Sequence, residues 1–398
     1  MTSPTSRRTL LGALLAGGAL AAAPGVARSA DRPAPTRPHR PPHPAHPAHP
    51  AHPATLRTGT LFTGTYTPAG PGIGVAAYDS ASGRITARTP VTGVQNPSYL
   101  ALHPTGSTLY AVNEQWNGGV TAVALGGDGT FRVLGTQSTG GSGPCHLSVH
   151  PSGRWLLSAN YTSGSVAVHP LAADGSVGAR TDLVAHSSPA PGPGQYSPHA
   201  HQIVTAPDGD HILATDLGND TVYTYRLDQA RGTLQQLSYA RLRPGAGPRH
   251  LAFHPDGRHA YLACEVDNTA VVCGYDPATG RLTPGTPQST GTGATTSYPA
   301  QFLVTADGRF AYLANRGHNS LTRYAVEGGG SALRLLDTVP VGGDFPRHTA
   351  FSPDGTLLFA ANQRSGTVTV LRVDAASGAL TRVGTPYAAP SAVCVLPL

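Results

Sequence analysis

Two histidines near the middle of the chain are spaced for joint chemistry. They are His199 and His201, in the stretch QYSPHAHQ at residues 195–202. Alternate residues of a β-strand share one face, so a strand here would present both imidazoles to one cavity. An imidazole can take a proton from water or give one to a leaving group near neutral pH.

Further side chains with catalytic potential follow in the second half of the chain. Arg249 and Arg347 each precede a histidine in a PRH tripeptide, whereas Glu265 and Arg316 each follow a short apolar run. Guanidinium groups bind anions and stabilise oxyanions, and a carboxylate can activate water. Together these groups supply what an ester-cleaving pocket requires, provided that the fold brings them together.

A repeated unit after residue 56 predicts the elements that position these residues. Each copy contains a strand, a turn with Pro-x-Gly or Ala-Asp-Gly, a second strand, and then a third and a fourth strand separated by short turns. The copies are LALHPTGSTLYAVNE (100–114), LSVHPSGRWLLSANY (147–161), IVTAPDGDHILATDL (203–217), LAFHPDGRHAYLACE (251–265), FLVTADGRFAYLANR (302–316) and TAFSPDGTLLFAANQ (349–363). Four antiparallel strands per repeat are typical of a β-propeller blade.

A seventh unit is divided between the two ends of the chain. TLFTGTY (60–66) and the two runs after it match strands two to four, whereas APSAVCVLP (389–397) matches an isolated first strand. We therefore predict an all-β fold, a seven-bladed β-propeller whose N-terminal blade is closed by the C-terminal strand. Such closure leaves no open sheet edge.

The predicted pairing brings the start of strand one and the end of strand two to the same end of every blade, around one opening. At the start of strand one stand the pairs Cys145-His146, His201-Gln202, Arg249-His250 and Arg347-His348, and strand two ends at or next to Glu114, Asp216, Glu265 and Arg316. Five residues break the repeat on three consecutive blades: His199, His201, Asp216, Glu265 and Arg316. Their clustering favours a functional site over a solvated rim.

Other recurring residues are better explained by blade architecture. His103, His150 and His254 recur at the turn on the opposite end of strand one, where we expect a structural role. An Asn recurs at the end of strand two, and we expect its amide to bond backbone in the following turn.

The first 56 residues differ from the rest. The stretch SRRTLL (6–11) precedes a short Gly/Ala-rich apolar run and resembles a twin-arginine export signal, which we assign to residues 1–30. Residues 31–56 form a Pro/His-rich segment that we expect to be a disordered linker. The propeller is assigned to residues 57–398, and the protein to a secreted or extracytoplasmic location.

Composition excludes several functions. Of the formal net charge of +6, about +5 comes from residues 1–56, with six Arg and one Asp, so the propeller offers no basic patch for nucleic acid. All 27 basic residues are Arg, which excludes Schiff-base chemistry on Lys. The four Cys are expected to be free and mostly buried, because a large propeller needs no disulfides.

Several motifs resemble one known family. GPCHLSVHPSGRWLLSANY, SPHAHQIVTAPDG with DLGNDTVYTY, GPRHLAFHPDGR, YLANRGHNSLTRY and AANQRSGTVTV are similar to the seven-bladed propeller lactonases. These include bacterial propeller-type 6-phosphogluconolactonases and the fungal carboxymuconate cyclase. The resemblance covers residues 57–397, and it implies a site of His, Arg and Glu residues on this face. Cys264 departs from the family pattern, in which an Asn precedes the glutamate.

The resemblance implies hydrolysis of a sugar-type lactone, 6-phosphogluconolactonase-like. Lactone opening needs a base, oxyanion donors and an acid for the departing alkoxide. Glu265 or His201 is the predicted general base, with His199 as the alternative, and Arg249 and Arg316 clamp the oxyanion or an anionic substrate. Asp216 would orient a histidine, and the predicted substrate-binding set comprises Arg316, His146, Asp216, His250 and Arg347.

The sequence is also compatible with three other hypotheses: a lactonase with an axial Ca²⁺, a secreted propeller that binds without catalysis, and a carboxymuconate-type cycloisomerase on the same pocket. We predict no cofactor and assign no metal ligands. The expected partner is a small-molecule lactone, with no nucleic acid, no membrane beyond an uncleaved signal, and a monomeric state.

Overall fold

A computed structural model describes residues 58–127, 129–187, 192 and 195–398. The export signal and the linker assigned to residues 1–30 and 31–56 lie outside the described residues. Within the described part, no helix is long and apolar enough to span a membrane. The described elements are β1 (Thr58–Thr65), β2 (Ile73–Asp79), β3 (Ile85–Val91), β4 (Leu100–Leu102), β5 (Thr108–Asn113), β6 (Gly119–Leu125), β7 (Phe131–Ser138), β8 (Pro144–Val149), β9 (Trp155–Asn160), β10 (Ser165–Pro170), β11 (Asp182–Ala185), β12 (Ala200–Thr205), β13 (His211–Asp216), β14 (Thr221–Asp228), β15 (Thr233–Arg241), β16 (Pro248–Phe253), β17 (His259–Cys264), β18 (Thr269–Asp276), β19 (Arg281–Ser289), β20 (Tyr298–Val304), β21 (Phe310–Arg316), β22 (Ser320–Glu327), a 3₁₀ turn η1 (Gly328–Gly330), β23 (Ala332–Pro340), β24 (Pro346–Phe351), β25 (Leu357–Asn362), β26 (Thr367–Val373), β27 (Leu380–Ala388) and β28 (Ala392–Pro397).

The strands form seven four-stranded antiparallel sheets, which are the blades. Blade 1 has the order β28-β1-β2-β3, and blades 2 to 7 follow as β4–β7, β8–β11, β12–β15, β16–β19, β20–β23 and β24–β27. The first strands of consecutive blades contact one another, and β28 contacts both β24 and β4. The prediction of a seven-bladed propeller closed by the C-terminal strand is confirmed.

Local sequence explains why each unit folds as it does. Leucine, alanine and a few larger apolar residues dominate the second strands, and these strands are buried. The turn between strands one and two needs a residue with positive φ, and a glycine supplies it in all six repeats. These glycines are Gly106, Gly153, Gly209, Gly257, Gly308 and Gly355.

The hydrophobic core lies between blades. Leu213 and Val222 of blade 4 pack in one cluster with Leu262 and Val271 of blade 5. At the closure, Val395 of β28 belongs to a cluster formed with residues of β1 and β25. Each blade therefore buries its faces only against its two neighbours, so the ring must close for all seven to be covered.

Side chains also join neighbouring blades. Each turn histidine contacts the turn of the next blade. His103 Nε2 lies 2.9 Å from the carbonyl oxygen of Gly153, and His150 Nε2 lies 3.2 Å from that of Gly209. This geometry supports the structural role expected for them. The recurring Asn side chains are also structural, but their partners differ from those expected. Asn315 Nδ2 donates to the hydroxyls of Ser320 and Thr322 in the next strand.

A tyrosine in strand two makes a second inter-blade bond. The Tyr312 hydroxyl donates to the Gly378 carbonyl at 2.7 Å, and Tyr110 and Tyr261 make the equivalent bond. We expect Tyr312→Phe to lower the free energy of unfolding by about 1–2 kcal/mol, because it leaves a buried carbonyl without its donor. Urea unfolding measures this, and Tyr196→Phe, at a tyrosine 88% exposed, is the matched control. Equal losses in both variants would contradict the inter-blade role.

Candidate active site

A β-bulge at the start of the first strand aims the site residues. In β12, Ala200 pairs with Asp216 and Gln202 pairs with Thr215, which leaves His201 unpaired between them. The same bulge occurs in β8, β16 and β24, where the unpaired residues are Cys145, Arg249 and Arg347, respectively. A bulge re-aims a side chain that regular pleating would turn elsewhere, and bulges are frequent next to active sites.

Arg249, Glu265 and Arg316 form a charge cluster at the shared end of blades 5 and 6. Glu265 Oε2 lies 3.0 Å from Arg249 Nε and 2.5 Å from Arg316 Nη2. The arginine side chains are only 2% and 5% exposed, and the glutamate side chain is 22% exposed. One carboxylate between two guanidinium groups leaves a buried excess of positive charge, which suits an anion or a developing oxyanion.

The cluster is ionised and held rigidly. Burial by itself would raise the pKa of Glu265, but Arg316 and Arg249 outweigh it and hold that pKa below the ordinary value. Burial and the neighbouring Arg316 lower the pKa of Arg249 to about 9, so it keeps its charge at neutral pH. Arg249 Nη1 donates to the Ala300 carbonyl at 2.5 Å, and Arg316 Nε donates to that of Tyr298 at 3.1 Å. The donors are therefore positioned before any substrate arrives.

His201 is a neutral imidazole beside these arginines. It is 4% exposed, and its Nδ1 has no hydrogen-bond partner in the structure. Burial lowers its pKa well below the usual value, and the charges of Arg249, Arg347 and Arg316 lower it further. The ring stands edge-on to Tyr161, with 5.6 Å between centroids. At neutral pH this histidine can accept a proton.

A second polar cluster, Tyr66, Glu114 and Arg347, lies at the same opening on blades 1, 2 and 7. The Tyr66 hydroxyl donates to Glu114 Oε2 at 2.8 Å, and Arg347 Nη2 lies 3.9 Å from the same oxygen. Burial opposes the charge of Arg347, but Tyr66 and Glu114 outweigh it and raise its pKa. Arg347 is thus a permanent cation with a looser ion pair than the two arginines of the charge cluster.

Three more histidines and a tyrosine line the axis. The ring centroid of His250 lies 5.2 Å from that of His146 and 4.9 Å from that of His201, and Tyr99 lies 5.2 Å from His348. His146 Nδ1 and His348 Nδ1 accept the backbone N–H of the next blade's first strand. Neither ring nitrogen of His250 has a protein partner. The structure brings His146 and His250 next to His201, but they are almost completely buried.

His199 and Asp216 both bond to groups inside the protein. Asp216 is completely buried; Oδ1 accepts the backbone N–H of His199 at 2.7 Å, and Oδ2 lies 2.6 Å from His186 Nδ1. Both oxygens are therefore used inside the protein, and the contact with His186 agrees with the prediction that Asp216 orients a histidine, although that histidine is His186. The His199 ring stacks on Tyr161 at 4.5 Å, with Nδ1 2.9 Å from the Tyr161 carbonyl oxygen. The alternate spacing of His199 and His201 therefore does not place the two rings in equivalent roles.

Sequence reasoning missed three aromatic residues of this region. Tyr66 follows the end of β1 as Glu114 follows the end of β5, and both are second strands of their blades. Alignment of the divided blade with the other six would therefore have predicted Tyr66 at the site. Tyr161 stands in the same column but carries no charge to single it out. Phe345 packs against Arg316, with 5.3 Å between the guanidinium carbon and the ring centroid, and has a φ of +66°. A bulky residue rarely adopts that conformation, and no local pattern predicts it.

The four cysteines are free and buried. Cys145 Sγ lies 3.4 Å from the His201 carbonyl oxygen, and burial raises its pKa. A thiol that resists ionisation is a poor nucleophile. Cys264, directly before Glu265, is completely buried as well.

Comparison with known proteins agrees with the seven-bladed fold. The family model described as Lactonase, 7-bladed beta-propeller matches residues 60–397. The chain belongs to this family. A 6-phosphogluconolactonase of Bacillus subtilis (strain 168) is 33% identical to this chain. The match covers 84% of this chain and 97% of the relative. A 6-phosphogluconolactonase of Formosa agariphila is 28% identical over 81% of the chain and 95% of the relative.

A solved structure is also similar over the whole propeller. The periplasmic gluconolactonase of Pseudomonas aeruginosa superposes with a TM-score of 0.81 at 32% identity, covering 86% of this lactonase-family chain and 99% of that protein. In our structure a cavity of 590 Å³ lies between blades 1 and 2. Its lining includes Thr67, Asn96 and Gln115 but neither His201 nor the charged residues of the candidate site, so this cavity is separate from that site.

Proposed function

We propose that the protein hydrolyses a sugar-type lactone at the opening lined by Arg249, His201 and Arg316. The observation that carries the proposal is a neutral, buried imidazole without a partner at Nδ1, beside three guanidinium groups, in a member of a lactonase family. The substrate class is that of 6-phosphogluconolactonase-like enzymes.

In the first step His201 acts as the general base. It accepts a proton from water as the water oxygen attacks the lactone carbonyl carbon, and the carbonyl π electrons move onto the oxygen. Arg249 and Arg316 stabilise that oxyanion. Because the oxyanion offsets the positive charges that lower the pKa of His201, the imidazole becomes a stronger base as the reaction proceeds.

In the second step the tetrahedral intermediate collapses. The carbonyl reforms, the ring C–O bond breaks, and the protonated His201 gives its proton to the departing alkoxide. The low pKa of His201 favours this transfer, since it makes the imidazolium a strong acid. The product is the open hydroxy acid, and the histidine returns to its neutral form.

In this mechanism Glu265 anchors the two arginines and is not the general base. Its carboxylate is held by two arginines, which makes it a weak base but a good anchor for both guanidinium groups. Arg347, with its looser contact to Glu114, is left to bind an anionic or hydroxylated part of the substrate.

We further propose that the protein acts outside the cytoplasm. The twin-arginine pattern in residues 1–30 supports this, and so does similarity to a periplasmic gluconolactonase. An exported enzyme would meet neutral sugar lactones more readily than a phosphorylated cytoplasmic metabolite.

The test is acid release by the purified protein with phosphorylated and neutral sugar lactones, after subtraction of spontaneous opening. Hydrolysis above background, lost in His201→Gln, supports the proposal, and the preferred lactone names the substrate. Saturable lactone binding without turnover would instead support a binding propeller, and lactone formation from a carboxymuconate would support a cycloisomerase. Either outcome would overturn hydrolysis as the function.

Activity should be insensitive to pH across the ordinary range of histidine. Because burial and the arginines lower the pKa of His201 well below 6.5, the base stays neutral on acidification past that value. We expect kcat/KM to stay constant from pH 7.5 through 6.5 and to fall only at more acidic pH. A half-maximal rate near pH 6.5, with the fold intact by circular dichroism, would contradict the assignment.

A further inference from the structure

The turn between β16 and β17 carries three metal-ligating side chains outside the active site. They are His254, Asp256 and His259, in the sequence HPDGRH. One ligand atom from each lies within 4.8 Å of the others. His254 Nδ1 is 3.0 Å from Asp256 Oδ1, and His259 Nδ1 is 2.7 Å from Asp256 Oδ2.

Both Nδ1 atoms face one small space. A Cβ placed on Gly330 would lie 2.8 Å from His254 Nδ1 and 2.9 Å from His259 Nδ1. Gly330 belongs to the neighbouring blade, and its missing side chain keeps this space open. Ligand atoms about 2.0–2.1 Å from a tetrahedral Zn²⁺ lie about 3.3 Å from one another, so the 3.0 and 2.7 Å contacts of Asp256 need only a small outward shift to admit the ion.

The contact between His254 and Asp256 differs from the contact in the equivalent turns. In the equivalent turns, the hydroxyls of Thr105 and Ser152 lie 2.7 and 2.8 Å from Nδ1 of the turn histidine and can donate to it. An ionised carboxylate has no hydrogen to donate. His254 Nε2 contacts the Gly308 carbonyl oxygen at 3.2 Å and so carries the ring proton, while Nδ1 of the neutral ring accepts the backbone N–H of Asp256 at 3.2 Å and lies 3.0 Å from its carboxylate. A cation satisfies this contact, either a second ring proton or a bound metal ion at Nδ1.

Among the six turns of this type, blade 5 alone combines all three groups. The turn of blade 4, APDGDH, has Asp208 and His211 but Ala206 in place of the first histidine. Blades 2 and 3 have the first histidine but neither of the other two ligands. Inter-blade bonding and the turn each need only one of these residues, so neither explains their combination.

We propose that His254 Nδ1, Asp256 and His259 Nδ1 bind a divalent first-row transition ion, Zn²⁺ foremost. Two imidazoles and a carboxylate suit such an ion better than Mg²⁺ or Ca²⁺. The Asp256 and His259 side chains are 26% and 23% exposed, so the ion can enter from solvent and keep a water ligand. The turn is at the opposite end of β16 from Arg249, about 17 Å away at the rise of a β-strand. The ion therefore takes no part in lactone chemistry.

Zinc binding to the full chain tests this site. The histidines of residues 39–52 contribute a background, so the difference between variants is the measurement. By equilibrium dialysis against Zn²⁺, the wild type should bind one more equivalent than His259→Ala. His211→Ala, which removes the matched Asp–His pair of blade 4, should bind as many equivalents as the wild type.

Thermal unfolding supplies an independent measurement. An ion that binds only the folded site raises the Tm, so Zn²⁺ should raise it for the wild type and His211→Ala but not for His259→Ala. If His259→Ala fails to fold, His254→Thr replaces it, because Thr305 occupies that position before Asp307 in blade 6. Equal zinc stoichiometry in the wild type and these ligand variants would overturn the proposal. Lactone hydrolysis is unaffected in either case.

Discussion

Replacement of His201 by Gln is expected to lower kcat about 10²–10⁴-fold with little change in KM, the size of effect that general acid–base catalysis contributes. The amide can still form hydrogen bonds, but it cannot take the proton from water or return it to the alkoxide. Steady-state kinetics on the preferred lactone measures the loss. His211→Gln is the matched control, because His211 is buried in the same blade at the other end and contacts Asp208.

Glu265→Gln separates the two candidate bases. If Glu265 holds the arginines, its loss should raise KM and lower kcat together, since both guanidinium groups lose their common anchor. If Glu265 were the base, this variant would lose activity while His201→Gln stayed within twofold of the wild type. Rates within twofold for both variants would remove both assignments.

Acidification below pH 6.5 is expected to destabilise the propeller steeply. Burial lowers the pKa of His146, His201 and His250 well below the ordinary value and that of His348 to about 3. The unfolded chain binds protons at these histidines below about pH 6.5, whereas the folded protein does not. Their contribution to stability is therefore complete above pH 6.5 and is lost as the pH falls. Each costs about 1.4 kcal/mol per pH unit, so the four together cost about 5.6 kcal/mol per unit.

The chain itself supplies the control for this effect. Gln202 and Gln301 occupy the same column and accept the next blade's backbone N–H through Oε1, as His348 does through Nδ1. His348→Gln should keep that bond and reduce the pH slope by about 1.4 kcal/mol per unit. Urea unfolding at pH 7.0, 6.0 and 5.0 measures the slope. An unchanged slope in His348→Gln would show that His348 does not contribute to it.

Much of the fold followed from local pattern. The HPDGRH and SPDGTL turns, with glycine at a fixed offset, and the apolar second strands specify a blade without reference to any other blade. The divided seventh blade followed from the same rule, since TLFTGTY lacks a first strand and APSAVCVLP lacks the other three. Strand pairing also placed Arg249, Glu265 and Arg316 at one end, because antiparallel neighbours fix which ends meet.

The contacts within the site could not be predicted in this way. Asp216 and Glu265 are both acids at strand ends, yet one is completely buried and the other lies between two arginines at the opening. The convergence of His254 and His259 on the space beside Gly330 joins residues more than 70 positions apart.

The sequence by itself determined the number of blades, their closure and the end at which the charged residues gather, because hydrophobic alternation and turn chemistry act over a few residues. Only the tertiary structure decided that Glu265 pairs with Arg316 of the next blade, that Arg347 approaches Glu114, and that Asp216 faces inward. The reason is that these contacts depend on the rotation between blades and on the bulges of the first strands. Both are settled only when the ring closes and the side chains pack.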